Sequence, residues 1–206
     1  MEDPAGPRRR RNAAATRAAI LISARIAFAR SGYDGAGVRE IAEGAGVTAM
    51  MVNRYFGSKE QLFAEVVAET MRAPTILSPE ILASPHLGAS IATTLLDITQ
   101  ADATPLEGFQ IMLRSASSER AAEIAREQIE NHYLKTMTSA LTGDLAAQRA
   151  ALVFALVAGI QVMRQMIGLS ALADADPATL VELLGPVLQQ LIDDPVRAQG
   201  PEHPAV

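Results

Sequence analysis

The residues best suited to contact nucleic acid lie within or just after the stretch VREIAEGAGVTAMMVNRYF, residues 38–56. Hydroxyl, amide and guanidinium side chains in this stretch can bond to phosphates and to base edges. The candidate DNA contacts are Arg39, Thr48, Ala49, Met50, Asn53, Arg54, Tyr55 and Lys59. We expect Asn53 and Met50 to touch bases, Thr48, Tyr55 and Lys59 to hold phosphates, and Arg54 to be able to do either.

Two short helices joined by a tight turn would present these side chains on one surface. Ile41 and Ala42 are predicted on the inner face of the first helix, and Val52 and Tyr55 on the inner face of the second. Gly46 in the turn can take the positive φ that such a turn requires. The pattern therefore predicts a helix-turn-helix whose second helix enters a major groove.

The flanking sequence supplies a third helix and an anchor. A helix over 15–31 is predicted from its apolar spacing. Its inward residues are Ile20, Leu21, Ala24, Ala27 and Phe28. Thr48 is expected to cap the second helix of the pair, and Ser58 to cap a further helix over about 59–73. Lys59 then lies in the first turn of that helix, where a cation is unfavourable unless an anion such as phosphate approaches.

The charge of the chain is divided unevenly. Residues 1–59 carry a net charge of +5 and the remainder −10, although the whole chain of 206 residues is at −5. This asymmetry indicates that the N-terminal part meets a polyanion. The arginine-rich segment 1–12 is either a solvated terminus or a basic arm that contacts DNA.

Other classes of site lack a sequence signal. The chain has no cysteine and three scattered histidines, so neither a disulfide nor a metal site is expected. No nucleophile motif, phosphate loop or dinucleotide turn is present, which predicts a protein that is not an enzyme and has no cofactor. The apolar stretch 150–173 is long enough for a membrane span, but Gln161, Arg164 and Gln165 favour a buried helix in a cytoplasmic protein.

The C-terminal part is predicted to be helical throughout. Helices are expected over 87–102, 105–117, 119–141, 144–171 and 177–193. In the helix over 105–117, Phe109, Met112 and Leu113 are predicted to point inward. In the helix over 119–141, apolar residues recur at every fourth position, at 125, 129, 133, 137 and 141. The helix over 144–171 is apolar nearly all round, so it must be covered on all sides. We expect it to form a four-helix dimer interface with the helix over 177–193, the alternative being a monomer with an unusually apolar core.

Soft apolar side chains suggest a cavity in this part of the chain. The candidate ligand-binding residues are Phe109, Met112, Leu113, Tyr133, Met137, Met163 and Arg164. Methionines at helical spacing are also common in plain core, so both interpretations stay open. Arg164 could bond carbonyl groups, pair with an acid such as Asp97 or Glu107, or meet an anionic ligand group.

The segment from Arg17 to about Val67 resembles the DNA-binding domain of the TetR family of bacterial transcriptional regulators. The resemblance is carried by FARSGYDGAGVREIAEGAGVT, by RYFGSKEQLF and by the spacing between them. The family usually has Ser or Thr at the position of Gly37 and Tyr at the position of Asn53. The first departure removes one expected phosphate contact, and the second provides an amide that can bond to adenine.

The resemblance implies an all-α homodimer, a repressor by default, with an effector pocket in the C-terminal half. We expect a flexible basic arm over 1–14, a three-helix DNA-binding domain over 15–60, an effector-binding and dimerisation domain over 61–194 and a flexible tail over 195–206. The predicted function is that of a repressor that binds a palindromic operator and is released from it by a largely hydrophobic effector. The alternatives are an architectural DNA binder without effector and a small-molecule-sequestering protein of the same fold.

Overall fold

The computed structural model describes residues 6–71, 75–100 and 107–193, and these residues form helices and no strands. The predicted all-α class is therefore confirmed. The contacts divide the chain into two compact units, Met1–Ala73 with Leu106–Ile129 and Pro74–Pro105 with Glu130–Val206. We call them the N-terminal unit and the C-terminal unit. The boundaries expected at residues 14, 60 and 194 stay predictions.

In the described part of the chain, six helices build the N-terminal unit. They are α1 (Gly6–Gly35), α2 (Val38–Gly44), α3 (Ala49–Phe56), α4 (Lys59–Thr70), α7 (Glu107–Ser115) and α8 (Glu119–Gln128). The α1 helix begins nine residues before the predicted start at residue 15, so part of the expected arm is helical. The first five residues of that arm lie outside the described residues.

The core of the N-terminal unit follows the predicted pattern of α1. The five apolar side chains expected to point inward are all buried, and Ile20, Ala24 and Phe28 are completely so. The rings of Phe28 and Phe63 meet edge to face with 5.0 Å between centroids. This aromatic packing joins α1 to α4 at the centre of the unit.

A close approach fixes α7 against the end of α1. Gly32 interrupts the helical backbone of α1 with φ +66° and ψ −177°. A Cβ at this position would lie 2.5 Å from the carbonyl oxygen of Arg114, so only glycine fits. Arg114 also donates a hydrogen bond of 2.9 Å to the carbonyl of Arg30, and the Tyr33 N–H donates to Ser115 Oγ at 2.9 Å.

The C-terminal unit contains the remaining helical segments. They are a 3₁₀ turn (Thr75–Leu77), α5 (Pro79–Leu82), α6 (Leu87–Ile98), a π-helical segment (Ile129–Leu134, which begins in the N-terminal unit), α9 (Lys135–Ala140), α10 (Ala146–Gln161), a second π-helical segment (Val162–Met166), α11 (Ser170–Ala173) and α12 (Pro177–Ile192). The predicted helix over 144–171 is thus shorter, and the predicted tail over 195–206 lies outside the described residues.

Two glycines bring α6 and α12 into backbone contact. A Cβ on Gly88 would lie 2.5 Å from the Gln189 nitrogen and 2.6 Å from the Gly185 carbonyl oxygen. The Gly88 N–H donates a hydrogen bond of 2.8 Å to Gln189 Oε1. Buried Ile91, Leu95 and Leu188 belong to the cluster that surrounds this pair of helices. The packing of the C-terminal unit therefore depends on small residues at the point where α6 and α12 cross.

The segment Ala146–Met166 is the one helical stretch of the described residues that is long and apolar enough to cross a membrane by length and composition. Two arginines, Arg149 and Arg164, are buried along it and donate hydrogen bonds to carbonyl groups of the C-terminal unit. Guanidinium groups that are hydrogen-bonded to carbonyls in this way are typical of a protein interior and not of a surface that faces lipid.

Candidate nucleic-acid interface

The α3 helix presents a polar face that is open to solvent. Val52 and Phe56, four residues apart, are buried against the core of the N-terminal unit. Met50 is 80% exposed, and Asn53 and Arg54 are exposed beside it. The prediction that Tyr55 lies on the inner face was wrong: Tyr55 is partly exposed, and Phe56 fills that place because it follows Val52 at helical spacing.

The turn before α3 has the geometry expected from the sequence. Gly46 takes φ +66°, and the Val47 N–H bonds to the Ala42 carbonyl at 2.9 Å. Thr48 caps α3, its Oγ1 accepting from the Met51 N–H at 3.4 Å. The cap confirms the predicted start of the helix and holds the Thr48 hydroxyl at its exposed N-terminal end.

Arg17 and Gly57 hold the C-terminal end of α3. Gly57 ends the helix with φ +79°. The Arg17 guanidinium lies 4.8 Å from the centroid of the Phe56 ring and also pairs with Glu65 of α4. A cation over an aromatic face is favourable, so Arg17 links α1, α3 and α4 at one point.

The start of α4 combines a cap, a cation and an aromatic ring. Ser58 Oγ accepts from the Gln61 N–H at 3.2 Å, as the predicted cap requires. The Lys59 Nζ lies 4.6 Å from the centroid of the Tyr33 ring. Burial, with the Glu60 carboxylate beside the hydroxyl, raises the pKa of Tyr33 to about 12. The Glu60 carboxylate is hydrogen-bonded to Ser58 and to Tyr33, which lowers its pKa.

All eight candidate DNA contacts belong to the N-terminal unit. Arg39 of α2 and Thr48 are exposed like the face of α3, whereas Ala49, Tyr55 and Lys59 are partly exposed. Gly37 caps α2 without a side-chain hydrogen bond, as its residue type predicts. The structure thus provides an open helix face with two hydroxyl-capped helix N-termini, at α3 and α4, in the same unit.

The candidate ligand-binding residues are divided between the two units. Phe109, Met112 and Leu113 lie on α7 of the N-terminal unit. The prediction that this set forms the inward face was wrong, because Ile111 and Ser115 are the buried side chains of α7 and Leu113 is 38% exposed. The contacts of Gly32 and Tyr33 turn the side of α7 that carries Ser115 toward α1.

Tyr133, Met137, Met163 and Arg164 belong to the C-terminal unit, and three of them lie in its π-helical segments. The ring of Tyr133 meets that of Phe154 edge to face at 5.8 Å, and its burial raises the pKa of its hydroxyl. Met137 is completely buried, while Met163 is 43% exposed.

The π turn also changes the pattern of burial along the stretch predicted as one helix over 119–141. Of the apolar residues that recur there at every fourth position, Met137 and Leu141 are buried, whereas Ala125, Ile129 and Tyr133 are only partly so. Because a π turn adds a residue, it shifts the inward face between Ile124 and Met137, which are both buried.

Arg164 has a structural set of partners. Its Nε donates to the Leu172 carbonyl at 2.9 Å, and its Nη1 donates to the Leu96 carbonyl at 2.9 Å and to Thr99 Oγ1 at 2.7 Å. Burial lowers the pKa of this guanidinium. Of the three alternatives, the structure shows carbonyl bonding: Asp97 is exposed, and Glu107 pairs with Arg25 at 2.7 Å in the N-terminal unit.

Arg149 is a second buried arginine, and it was not among the candidate residues predicted from the sequence. It donates to the carbonyls of Asp144 and Ile192 at 2.9 Å each, to that of Leu191 at 3.2 Å, and to that of Thr142. It therefore closes the C-terminal end of α12 against the start of α10. The available signal was an arginine in an otherwise apolar helical stretch, the same signal that marked Arg164.

One face of the C-terminal unit is apolar and exposed. On α10, Ala151, Ala155 and Gly159 are exposed at successive fourth positions beside Leu152, which is 52% exposed. A Cβ on Gly159 would meet nothing within 4 Å. On α12, Leu183 and Val187 are 67% and 47% exposed. We call these residues the α10–α12 face. Another side of α10, which carries Val153 and Val157, is buried within the unit.

Among the described residues, no three His, Cys, Asp or Glu side chains are grouped so that they could hold a metal ion.

Two family models match the chain. Residues 20–66 match the model described as bacterial regulatory proteins of the tetR family, and residues 86–192 match a tetracyclin repressor-like C-terminal domain. The HTH-type transcriptional repressor AcnR of Corynebacterium jeikeium (strain K411) is 45% identical over 53 residues. That match spans 26% of this chain and 28% of AcnR.

Solved structures extend the likeness along the chain. A TetR-family regulator from Streptomyces coelicolor A3 is 25% identical, with a TM-score of 0.57, over 88% of this chain and 96% of that one. The multidrug binding protein EbrR, complexed with malachite green, shares the fold at 18% identity with a TM-score of 0.60, over 86% of this chain and 98% of that one. Because the matched models cover both the helix-turn-helix and most of the C-terminal half, the chain belongs to the TetR family of transcriptional regulators.

Proposed function

We propose that this chain is a cytoplasmic, non-enzymatic repressor that binds a palindromic operator as a homodimer and leaves it when a largely hydrophobic effector binds. The observation that carries the proposal is the exposed polar face of α3, held by a buried apolar face and a capped N-terminus. A helix fixed in this way can enter a major groove without rearrangement. Membership of the family supports DNA binding and repression in general.

Each side chain of the interface has an assigned role. Asn53 and Met50 contact base edges, because both project from the exposed face of α3. Thr48, Tyr55 and Lys59 hold phosphates at helix ends, and Arg54 reaches either group. Ala49 lies against the groove, and Arg39 of α2 adds positive charge beside it. An asparagine amide can form two hydrogen bonds to adenine, which makes Asn53 the residue with the largest effect on sequence preference.

Selection of duplexes from a random library tests the base contacts. We expect the unaltered protein to select a palindrome, and Asn53→Ala to lose preference at one position of each half-site at a cost of about 1–3 kcal/mol. Lys59→Ala should weaken binding to all duplexes alike, whereas Lys135→Ala in the C-terminal unit should leave binding unchanged. If Asn53→Ala selects the same sequence with the same discrimination, the base contact is refuted.

The α10–α12 face supports the homodimer. Exposed leucine and valine side chains beside a row of small residues allow two copies to pack closely, and an isologous pairing would join four helices. Leu183→Glu should place a charge in that interface and give a monomer by sedimentation. The control is Ile26→Glu, which makes the same kind of change at a side chain 58% exposed in the N-terminal unit and should remain dimeric. A dimeric Leu183→Glu variant would contradict the proposed interface.

The effector proposal rests on the aromatic and methionine side chains of the C-terminal unit. Tyr133, Phe154 and Met137 provide apolar contacts, and π-helical turns often occur at functional sites. The similarity in fold to EbrR complexed with malachite green is consistent with an apolar organic ligand. An effector that prefers the DNA-free state must weaken DNA binding by linkage.

A thermal-shift screen with hydrophobic cations, fatty acids and aromatic compounds tests the effector. Compounds that raise the Tm of the free protein should release the selected duplex at similar concentrations. Ligand binding without any salt-dependent DNA binding would instead support the sequestering protein, an alternative that the acidic net charge of −5 and the lack of a side-chain cap at Gly37 favour slightly. DNA binding without any hit in a broad screen would support an architectural role.

A further inference from the structure

We propose that Tyr33 is a positioning residue for DNA binding, whose ring holds the Lys59 ammonium at the start of α4 for a backbone phosphate. The inference rests on the proposed function and adds a residue that none of the candidate DNA contacts includes. Its central observation is the 4.6 Å between Lys59 Nζ and the centroid of the Tyr33 ring. This distance lies within the range of a cation–π interaction.

The ring of Tyr33 is a fixed platform. Tyr33 is 7% exposed, its ring meets that of Phe63 at 5.1 Å and 70°, and it stacks on Phe28 at 6.3 Å and 20°. The backbone N–H of Tyr33 is tied to Ser115 Oγ, and its hydroxyl to the Glu60 carboxylate. Contacts on so many sides leave the ring little freedom, so a cation on its remaining face is also confined.

A ring holds a lysine differently from a carboxylate. Lysine carries roughly 2 kcal/mol of rotamer entropy, which is lost when the ammonium is placed against a phosphate. A π face attracts the ammonium without occupying all its donors, so the donors stay available for phosphate oxygens. Among the described residues Lys59 has no salt bridge, and the neighbouring Glu60 carboxylate is engaged with Ser58 and Tyr33 instead.

Two variants separate positioning from packing. Tyr33→Phe keeps the ring and removes the hydroxyl, whereas Tyr33→Leu keeps an apolar side chain and removes the ring. If the ring positions Lys59, Tyr33→Phe behaves like the unaltered protein and Tyr33→Leu does not. If Tyr33 only fills the core, both variants bind DNA as well as their folded fraction allows.

The first measurement needs no DNA. The chain has lysines at 59 and 135 alone, so a spectrum of ¹³C-lysine-labelled protein contains two side-chain ε-CH₂ signals with Lys135 as the internal control. The ring current of Tyr33 should shift the Lys59 signal upfield from that of the exposed Lys135. This shift should persist in Tyr33→Phe and vanish in Tyr33→Leu. An unshifted Lys59 signal in the unaltered protein would overturn the proposal.

The second measurement is a double-mutant cycle on a mixed-sequence duplex of about 30 base pairs at low salt. Tyr33→Leu should weaken binding about two- to fivefold and lower the salt dependence, because a phosphate contact is made less often. In the Lys59→Ala background the same change should have no further effect. Equal losses in both backgrounds would show a structural role and refute the positioning.

The outcomes also distinguish this inference from the proposed function. If the unaltered protein binds no duplex in a salt-dependent manner, the proposed function fails and the phosphate role of Lys59 fails with it, even when the Lys59 signal is shifted. If it binds but Lys59→Ala binds equally well, DNA recognition stands and the positioning of Lys59 is overturned.

Discussion

Substituting Gly88 by Ala gives the sharpest test of the helix pair α6 and α12. The added Cβ would lie 2.5, 2.6 and 2.8 Å from the Gln189 nitrogen, the Gly185 carbonyl oxygen and the Gln189 Cα. All three atoms belong to the backbone, so no side-chain rotation can relieve the clash. Restoring ordinary contact at about 3.4 Å requires the helices to separate by nearly an ångström.

Two opposing effects determine how much Gly88→Ala changes the free energy of unfolding. Alanine is favoured over glycine in a helix by roughly 1 kcal/mol. Overpacking costs about 1–3 kcal/mol, and a backbone clash belongs at the upper end because the whole helix must move. The separation also loosens Ile91 and Leu188 and stretches the 2.8 Å bond from the Gly88 N–H to Gln189. We expect Gly88→Ala to lower the free energy of unfolding by about 2 kcal/mol.

Urea unfolding followed by circular dichroism measures this change. Protein concentration must be the same for all samples, because the proposed dimerisation would contribute to the apparent stability. The control is Thr93→Ala on the exposed side of α6, which improves helix propensity without a clash and should be neutral or slightly stabilising. If Gly88→Ala is as stable as the control, the close crossing of α6 and α12 is refuted.

Three further predictions concern the arginine, tyrosine and threonine contacts. Arg149→Met should lower the free energy of unfolding by about 3 kcal/mol, because four carbonyl groups lose their donor, while Gln148→Met on the exposed side should be neutral in the same urea assay. Because the pKa of Tyr33 in the folded protein is raised to about 12, Tyr33 contributes stability that is present below pH 10 and is lost as the pH rises through 12. Between these pH values, the free energy of unfolding of the unaltered protein should fall by up to about 2 kcal/mol more than that of Tyr33→Phe. Parallel pH profiles of the two proteins would contradict this prediction. Thr48→Ala should destabilise the N-terminal unit by about 1 kcal/mol and weaken binding to all duplexes in a fluorescence-anisotropy titration. Thr48→Ser should keep the stability and the DNA affinity of the unaltered protein, and equal behaviour of the two variants would rule out the cap.

Local features of the helix-turn-helix followed from the sequence. The caps at Thr48 and Ser58, the positive φ of Gly46 and the buried face of α1 were predicted, and all are present. Each depends on residues a few positions apart, whose steric and hydrogen-bonding preferences act within one turn or one helix. The prediction for Tyr55 was wrong because the next residue, Phe56, is also aromatic, and in the folded unit Phe56 is the one that is buried.

The C-terminal half was less predictable because its helices are apolar on several sides. On α7 the apolar residues at positions 109, 111, 112 and 113 are spread around the helix, so their spacing does not say which of them is buried, and the inward set predicted there was wrong. The π-helical segment Ile129–Leu134 shifted the buried face of the stretch predicted as one helix over 119–141, and a π turn has no reliable residue signature. The expected effector residues therefore stay a prediction, divided between two units.

The sequence by itself determined the all-helical class, the helix-turn-helix and its exposed polar residues, because helix propensity, caps and turns are local properties. Only the tertiary structure decided the partners of the buried arginines and of Lys59. Arg149 and Arg164 bond carbonyls 5–68 positions away, and Lys59 meets a ring 26 residues earlier in the chain. Contacts across such distances depend on how helices cross, and a crossing is set by the shapes of both surfaces together, which neither segment specifies alone.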